Sequence, residues 1–274
     1  MINRLYAAMK KNIKNKLYGK KKLQTLFKKL YTISIGGMNF GNFDMYENGE
    51  MLALQMIKKY FKDDIVIFDV GANCGAYLKN IDSIFPKGTI VHSFEPAKEA
   101  FRLLSNISTE NVKVEFYNFG FSNECKDAVL YAKTPNGPGS SIFNLNHSDL
   151  LSKYDLKEKI KLKTIDSYCN SNDITEIHFL KIDTEGNEFN ILSGAKNMLK
   201  SGKIKFIQFE FGDRTIFSNT TFFDFLNLFK KNNYKIYRIL KDGLLLIDKY
   251  YVNEEIYAGV NYLAVHNNYN SFCS

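Results

Sequence analysis

The sequence predicts an α/β fold, namely a doubly wound, mostly parallel sheet with helices on both faces and an N-terminal helical extension. From residue 65 onward, short apolar runs alternate with amphipathic stretches, which is typical of a parallel sheet flanked by helices. The first run leads into a glycine turn, IFDVGANCG at residues 67–75, and then into a helical pattern. A strand, glycine turn and helix in this order indicate a ligand site at the carboxyl end of the sheet.

Five apolar runs are predicted to form the core strands: Ile65–Val70, Thr89–Phe94, Val112–Asn118, Ile177–Asp183 and Ile204–Phe211. Amphipathic stretches between them predict helices near residues 76–85, 97–107, 187–200 and 221–232. Three further runs complete the sheet with an antiparallel edge: Tyr234–Leu240, Leu244–Ile247 and Asn261–His266. An insertion at residues 119–176 holds one strand-like run, Ala128–Ala132, and the loop TPNGPGSS, which we expect to close over a ligand.

The 274 residues, 45% of them apolar, are enough for one large domain, which we place at residues 44–274 after an arm at residues 1–43. The arm holds ten Lys and Arg and no acidic residue, whereas the remainder has 27 basic and 29 acidic residues. A nearly neutral domain argues against a nucleic-acid groove, because such binding rests on many phosphate contacts. No apolar run approaches the roughly 18 residues of a membrane span, so we expect a cytoplasmic protein.

In the arm, apolar residues recur at helical spacing among nine lysines between residues 5 and 30, which predicts a basic amphipathic helix or helix pair. One interpretation is peripheral contact of residues 1–30 with an anionic membrane, where each cationic side chain contributes about 1 kcal/mol. The other is a helix packed on the domain with a solvated basic face. The sequence does not indicate an oligomeric state.

The glycine turn after the first core strand bears on the choice of cofactor. A nicotinamide dinucleotide site would have GxGxxG, whose middle glycine lets the pyrophosphate approach the helix N-terminus. Here Asn73 stands at that position, between Gly71 and Gly75. S-adenosylmethionine has no pyrophosphate, so Asn73 is tolerated, and its amide can bond the methionine amino or carboxylate group. Glycine turns of this kind also occur without a ligand.

Two further segments are candidates for cofactor contacts. VHSFEP places Glu95 at the end of the next strand, 26 residues after Asp69. A carboxylate there can accept hydrogen bonds from both ribose hydroxyls, although an acid before a proline can also cap a helix. After the third strand, NFGFS brings Asn118 and Phe119 to the adenine side, Asn118 as a base-edge partner and Phe119 as a stacking face or a core residue.

The candidate catalytic residues follow the fourth and fifth core strands. FLKIDTEGNEF delivers Asp183 at a strand end with Lys181 and Glu185 beside it, and Glu210 in IQFEFG is expected to converge on it. Methyl transfer to an alcohol needs positioning and a base, or a cation that lowers the pKa of the acceptor. Asp183 is the first candidate base, and Asp183 with Glu210 is a candidate Mg²⁺ pair. Alternatively, Asp183 and Glu185 cap a helix while Glu210 pairs with Lys181 or Arg214.

Other catalytic classes lack their motifs, since GxSxG, HExxH and GxxxxGK followed by Ser or Thr are all missing from the sequence. His92 and His178 lie in apolar runs and are predicted to be hydrogen-bonded sheet residues. His147 is the histidine considered as an acceptor-side base. The four cysteines lie far apart and are interpreted as free thiols.

Taken in order, several motifs resemble the FkbM family of S-adenosylmethionine-dependent methyltransferases across residues 44–266. They are DVGANCG, FEP, SSIF at 140–143, TIDSY at 164–168, LKIDTEGNEFNILSGA at 180–195, QFEFG at 208–212 and the closing NYLAV strand. The resemblance implies a seven-stranded methyltransferase sheet, with Asp69, Gly71, Asn73, Gly75 and Glu95 at the cofactor. It also implies O-methylation of sugars, macrolides or other metabolites. The arm lies outside the resemblance, and NFGFS is a looser match to the family's adenine-side turn.

We therefore expect an S-adenosylmethionine-dependent O-methyltransferase that acts on a hydroxyl of a small molecule or glycan, with Asp183 positioning or deprotonating that hydroxyl. A sugar in surface-polysaccharide synthesis is the acceptor that family usage suggests. Two alternatives stay open at this point. One is an NAD-dependent oxidoreductase on a similar sheet, and the other is a non-catalytic α/β binding module recruited by its basic arm.

Overall fold

The computed structural model of the protein describes residue 14 and residues 16–135, 139–145 and 154–269. The strands are β1 (Val66–Val70), β2 (Ile90–Phe94), β3 (Lys113–Tyr117), β4 (Gly120–Phe121), β5 (Lys126–Ala132), β6 (Leu156–Lys163), β7 (Ile177–Ile182), β8 (Ile204–Phe211), β9 (Tyr234–Leu240), β10 (Gly243–Leu246) and β11 (Val260–His266). The α-helices are α1 (Gln24–Gly37), α2 (Glu50–Lys58), α3 (Ala76–Ile84), α4 (Lys98–Leu104), α5 (Ile165–Ser171), α6 (Glu188–Ser193), α7 (Lys196–Lys200) and α8 (Phe222–Lys231). Short 3₁₀ turns lie at Lys21–Leu23, Asp213–Ser218 and Val252–Glu254.

The main sheet has the strand order β10-β9-β11-β8-β7-β1-β2-β3. Strands β3, β2, β1, β7 and β8 are parallel, and β11 lies antiparallel between β8 and β9. The predicted mostly parallel, doubly wound sheet is confirmed. It is extended to eight strands because the short turn after Leu240 folds β10 back antiparallel onto β9.

Alternation along the strands explains why both faces of this sheet are covered. Ile67 in β1 belongs to one apolar cluster, and its neighbour Phe68 belongs to the other. In β8, Phe206 and Ile207 divide between the same two clusters. Successive side chains of a strand point to opposite faces, so a continuous apolar run needs helices on both sides.

The helix predicted at residues 187–200 is two helices, α6 and α7, which separate at Gly194. A Cβ atom at Gly194 would lie 2.1 Å from the backbone oxygen of Ser122, so the two chain segments approach too closely there for any larger residue. Asp166 satisfies the start of α7 by accepting hydrogen bonds from the backbone N–H groups of Asn197 and Met198. The other predicted helices end within a few residues of their predicted bounds.

The insertion forms a second sheet of three strands, in the order β4-β6-β5. The predicted strand Ala128–Ala132 is part of β5, whereas β6 was not predicted. Leu130, Ile160 and Leu162 are buried on the inner face of this small sheet and pack against residues of α4. The insertion therefore adds an apolar wall beside the carboxyl ends of β1 and β2.

The segment between α1 and α2 is held on the domain, although α1 itself has no buried residue. Phe40 lies in the main core, with the Arg238 guanidinium 5.0 Å from its ring centroid. The side chain of Asn39 donates to the backbone oxygens of Asn48 and Ile239. Contacts with the domain therefore begin before the predicted boundary at residue 43. In the part of the chain described, no helix has the length and apolar character that a membrane crossing needs.

Candidate active site

A cavity of about 170 Å³ opens at the carboxyl ends of β1 and β7. In the sheet, β2 and β3 lie on one side of β1, and β7 and β8 lie on the other, so the strand order reverses here. Turns after three strands and the inner face of the small sheet supply the wall. The lining residues are Val70, Gly71, Asn73, Glu95, Pro96, Ala97, Ala100, Gly120, Phe121, Leu130, Gly139, Ser140, Ile142, Ile160, Leu162, Asp183, Thr184, Glu185 and Asn187.

The turns after β1 and β7 are built against each other. Gly71 has φ +83°, and a Cβ atom there would lie 1.8 Å from the backbone oxygen of Asp183. The backbone N–H of Asp183 donates to Val70, and the N–H groups of Gly71 and Ala72 both donate to Phe94, each at 3.0 Å. A side chain at position 71 would push the two turns apart, so this glycine sets the spacing of the cavity wall.

Asn73 and Glu95 form the next part of the wall. Asn73 adopts a left-handed backbone with φ 48°, and its Oδ1 accepts a hydrogen bond from the N–H of Cys74. The carboxylate of Glu95 accepts from the N–H groups of Asn73 at 2.9 Å and Ala97 at 2.8 Å. Burial raises the pKa of Glu95 to about 7 despite these two donors. Glu95 is thus fixed in position at the cavity surface, as a ribose acceptor would need to be.

Four residues predicted at the cofactor do not line the cavity. Asp69 lies fully buried beneath the turn, where Ser93 Oγ donates to its Oδ2 at 3.4 Å and its Oδ1 has no partner among the described residues. Gly75 packs against Ile107. The Asn118 amide donates to the backbone oxygens of Glu95 and Pro96.

Phe119, the fourth, belongs to an aromatic group with Phe94, Phe121 and Tyr168. The ammonium group of Lys163 lies 4.2 Å from its ring centroid. Asn118 and Phe119 therefore support the turn after β2 and the core behind it, and their contacts with adenine stay predictions.

Part of the cavity wall is apolar, and the rest is polar. Leu130, Ile160 and Leu162 of the small sheet face Ala97 and Ala100, whereas Asp183, Thr184 and Glu185 carry polar groups. Asp69, whose Oδ1 has no hydrogen-bond partner among the described residues, lies in β1 just before the turn at Gly71. A flat heterocycle with a charged tail, such as S-adenosylmethionine, matches this division of apolar and polar surface.

Lys181 and Asp183 form an ion pair at the end of β7, with Nζ and Oδ2 3.0 Å apart. The lysine side chain is 6% exposed and that of Asp183 is 43% exposed, so the carboxylate alone reaches the open side. Lys181 Nζ also lies 4.5 Å from the ring centroid of Tyr77. Burial lowers the pKa of Lys181, but Asp183, Asp69 and Glu50 outweigh it and raise that pKa above its ordinary value. The ammonium group is therefore a fixed positive charge behind Asp183.

Glu50, which the sequence analysis missed, is the third carboxylate around Lys181. It is buried at the start of α2, and its Oε2 accepts from Gln208 Nε2 at 2.6 Å. Its Oε1 accepts from the side-chain amides of Asn48 and Asn261. Burial raises the pKa of Glu50, and Lys181 opposes that shift. No local motif marks Glu50, because Lys181, Gln208 and Asn261 lie far from it in the sequence.

The turn after β7 carries Glu185 into the cavity wall. Glu185 has φ 59°, and its carboxylate lies 3.8 Å from Arg214 Nη1. Burial raises the pKa of Glu185 to about 7, with Asp183 adding to the shift and Arg214 opposing it. Ser141 Oγ donates to the backbone oxygen of Glu185, and Arg214 Nη1 donates to the backbone oxygen of Gly139. Residues 139–141 of the glycine-rich loop are therefore tied to Glu185 and to its ion-pair partner Arg214.

Glu188 supports the same turn from below. Its Oε1 accepts from the N–H of Thr184 at 2.8 Å, from the Thr184 hydroxyl at 3.0 Å and from the N–H of Gly186 at 3.2 Å. Burial raises its pKa. The capping carboxylate is thus Glu188, rather than the alternative of Asp183 and Glu185, and this leaves those two side chains facing the cavity.

Glu210 lies at the end of β8 between two glycines and is not among the residues that line the cavity. Cβ atoms at Gly212 and Gly259 would lie 3.3 and 3.0 Å from its Oε1. The same position at Gly259 is 2.7 Å from the ring of Phe43, whose side chain is 72% exposed. Burial raises the pKa of Glu210 well above its ordinary value, and repulsion from Asp183 adds to the shift. The Glu210 carboxyl group and an exposed aromatic ring therefore lie side by side.

The described residues contain no group of three or more His, Cys, Asp or Glu side chains placed to hold a metal ion. The ammonium group of Lys181 already neutralises the Asp183 carboxylate, as a bound cation would. His92 and His178 are hydrogen-bonded sheet residues, as predicted, through Tyr168 and the N–H of Val66 respectively. His147 lies outside the described residues.

Chemically, the cavity wall offers a proton acceptor. The Asp183 carboxylate is partly open, and Lys181 fixes its orientation. Burial and repulsion from Asp183 raise the pKa of Glu210, which favours the protonated, hydrogen-bond-donating form of that acid. A carboxylate held as Asp183 is can accept the proton of a bound hydroxyl group, which is the work of a general base on an alcohol.

Comparison with known proteins identifies the chain. The model of the FkbM methyltransferase domain matches residues 69–236, more than half of the sequence. This chain belongs to the FkbM methyltransferase family. The match covers the turn after β1, Glu95, the small sheet and the DTEG turn, so the resemblance drawn from the motifs is confirmed. It decides against the NAD-dependent and non-catalytic alternatives.

Two individual proteins similar to this chain are named as methyltransferases. Hexuronic acid methyltransferase AglP of Haloferax volcanii is 25% identical over 167 residues, which is 60% of this chain and 64% of that protein. 2-O-methyltransferase NoeI of Sinorhizobium fredii is 25% identical over 182 residues, which is 60% of this chain and 70% of that protein. The chain thus matches slightly under two thirds of AglP.

Solved methyltransferase structures also align with this FkbM chain. An rRNA methylase from Streptococcus thermophilus has a TM-score of 0.42 at 9% identity, covering 80% of this chain and 97% of that one. An S-adenosylmethionine-dependent O-methyltransferase from Thermotoga maritima has a TM-score of 0.38 at 11% identity, covering 79% of this chain and 64% of that one.

Proposed function

We propose that the protein transfers a methyl group from S-adenosylmethionine to a hydroxyl oxygen of a sugar. The observation that carries the proposal is the partly open Asp183 carboxylate, fixed by buried Lys181 at the cavity wall. Family membership supports the cofactor and the reaction type. The names of AglP and NoeI, a hexuronic acid methyltransferase and a 2-O-methyltransferase, support a glycan acceptor. A cytoplasmic location remains part of the proposal.

S-adenosylmethionine would supply an electrophilic methyl group. The acceptor oxygen would attack the methyl carbon, and the sulfur would leave on the opposite side. Glu95 and the turn at Gly71 would hold the nucleoside, with Glu95 accepting from the ribose hydroxyls. Asp183 would accept the proton of the acceptor hydroxyl as its oxygen takes the methyl group, and the electron pair of the C–S bond would stay on sulfur. In its protonated form, Glu210 would donate a hydrogen bond to the same acceptor and orient it toward the methyl carbon.

The proposal needs no metal ion, because Lys181 Nζ lies 3.0 Å from Asp183 Oδ2 and already neutralises that carboxylate. Turnover should therefore persist after dialysis against EDTA. A loss that added Mg²⁺ restores would assign Asp183 and Glu210 to a metal site, which was the other role predicted for them.

Asp183→Asn is the decisive variant. Turnover should fall about 10³-fold because the amide cannot accept the proton, whereas S-adenosylhomocysteine should bind with unchanged affinity. The assay follows mass gain in a panel of hexose and hexuronic acid glycosides incubated with labelled S-adenosylmethionine. Asp127→Asn, on the exposed face of β5, is the matched control. Unchanged turnover in Asp183→Asn would reject the assignment, and an unmodified panel with wild-type protein would reject the sugar acceptor.

Phe43 is the proposed platform for the sugar ring. An aromatic face exposed beside an acid–base pair can pack on the C–H face of a pyranose while the hydroxyls reach the acids. Phe43→Ala should raise KM for the acceptor about tenfold and leave S-adenosylhomocysteine affinity unchanged. Phe223→Ala is the control, because Phe223 is also exposed, packs on Tyr250 and lies on α8. Equal effects of the two variants would remove Phe43 from the acceptor site.

A further inference from the structure

Helix α1 has an apolar stripe along one side. Leu26, Phe27, Leu30 and Ile33 recur at helical spacing, and Leu23, at the end of the preceding 3₁₀ turn, extends the same face. At 100° per residue these side chains share one face, whereas Thr25, Lys28 and Thr32 lie on the other. A helix of this composition normally buries its stripe against the protein.

In this molecule Leu26, Leu30 and Ile33 of the stripe are exposed, whereas Leu23 and Phe27 are half-buried. Ile33 is 70% exposed, Leu26 is 52% exposed and Leu30 is 47% exposed, although no residue of the helix is fully buried. The residue of α1 that packs against the main core is Ile35, which lies off the stripe. The helix is therefore attached to the domain at its C-terminal end, through Ile35 and the buried Phe40 that follows it.

The surroundings of the stripe are uniformly basic. Exposed lysines occur at positions 14, 16, 20, 21, 22, 28 and 29, and the sequence has no acidic residue before Asp44. None of these lysines forms an ion pair within the described part of the chain. An apolar stripe with lysines on either side and no acids is complementary to a surface with negative head groups and an apolar interior.

We propose that α1 docks the protein on an anionic lipid surface, lying in the plane of the membrane with Leu26, Leu30 and Ile33 inserted between the head groups. A second copy of the chain is a poorer occupant, because two such helices would bring seven unneutralised lysines each to one interface. The proposal stands on the exposure and charge of α1, so it does not depend on the acceptor or on Asp183.

The test uses the full-length protein and two kinds of vesicle. One is phosphatidylcholine alone, and the other contains about one-third phosphatidylglycerol. Cosedimentation should occur with the anionic vesicles, should weaken as salt rises and should be weak with phosphatidylcholine. The double variant Leu30→Glu with Ile33→Glu should lose at least tenfold in vesicle affinity, because it places charge on the stripe.

The matched control is Thr25→Glu with Thr32→Glu, which adds the same two charges to the opposite, exposed side of α1. It should retain most of the binding, and both variants should keep wild-type affinity for S-adenosylhomocysteine. Equal loss in the two variants would reject insertion of the stripe and leave only charge attraction. Absence of binding to anionic vesicles, or a dimer in solution that Ile33→Glu dissociates, would overturn the proposal.

Discussion

The turns that follow β1 and β7 have the same construction and different surroundings. Each contains a glycine with positive φ against a neighbouring backbone: Gly71 at +83° lies against Asp183, and Gly186 at +104° lies against Arg214. Each is also held by a buried glutamate. Glu95, just after β2, accepts the N–H of Asn73 in the first turn, and Glu188 accepts the N–H groups of Thr184 and Gly186 in the second.

The two glutamates differ in what they face. Glu95 lines the cavity and uses one oxygen for each of two donors. Glu188 is 1% exposed, concentrates its hydrogen bonds on Oε1 and leaves Oε2 without a partner among the described residues. The same local device thus offers a carboxylate to a ligand in one turn and supports the backbone alone in the other. Burial and a raised pKa do not by themselves identify a binding residue.

The largest effects should come from the two glycines. A Cβ atom would lie 1.8 Å from a backbone oxygen at Gly71 and 2.5 Å from one at Gly186, so neither neighbour can yield easily. Gly71→Ala and Gly186→Ala should each lower the free energy of unfolding by about 3 kcal/mol or more, measured by urea denaturation. Gly88→Ala should cost only about 1 kcal/mol, because its φ is also positive but nothing lies within 4 Å. Equal losses at Gly71 and Gly88 would contradict the close approach of the turns.

An intermediate effect separates the two glutamates. Glu95→Gln should weaken S-adenosylhomocysteine binding at least tenfold in calorimetric titration, because the ribose hydroxyls lose a charged acceptor. Glu188→Gln should leave that affinity unchanged and lower the free energy of unfolding by about 1–2 kcal/mol, since an amide donor would face backbone donors. The reverse pattern would mean that the ligand binds at the other turn.

The smallest effect is a dependence of stability on pH in the ligand-free protein. The pKa of Glu185 rises from its ordinary value of 4.5 to about 7, so the folded state binds the proton more tightly than the unfolded state. The contribution of Glu185 to the free energy of unfolding should therefore be greatest below pH 4.5 and should fall as pH rises toward 7. Glu185→Gln should make the slope of Tm against pH shallower, and Glu110→Gln, an exposed control, should not change it.

The sequence predicted the strands of the main sheet within one or two residues because their apolar runs are continuous and flanked by turn formers. Lys181 and Asp183 came together as expected because they lie two residues apart, at the end of β7 and in the turn that follows it. Glu50 and Gln208 could not be found this way, since they meet across 158 positions of sequence. The break at Gly194 likewise depends on Ser122 from a distant segment.

The strand β6 is a different case, because a signal for it was present. Leu156, Glu158, Ile160 and Leu162 alternate with four lysines, and the apolar members at 160 and 162 are buried. Alternation with period two predicts a half-buried strand. The run of charges concealed that alternation, and with it the apolar wall that the insertion adds to the cavity.

The exposed position of Phe43 is suited to a fluorescent probe. The chain has no tryptophan, so Phe43→Trp would introduce a single indole beside Glu210 and Gly259. Its emission could then be excited apart from the seventeen tyrosines and would report directly on the environment of those two residues. Acceptor candidates could be screened by the change in that one signal, without cofactor and before any turnover is measured.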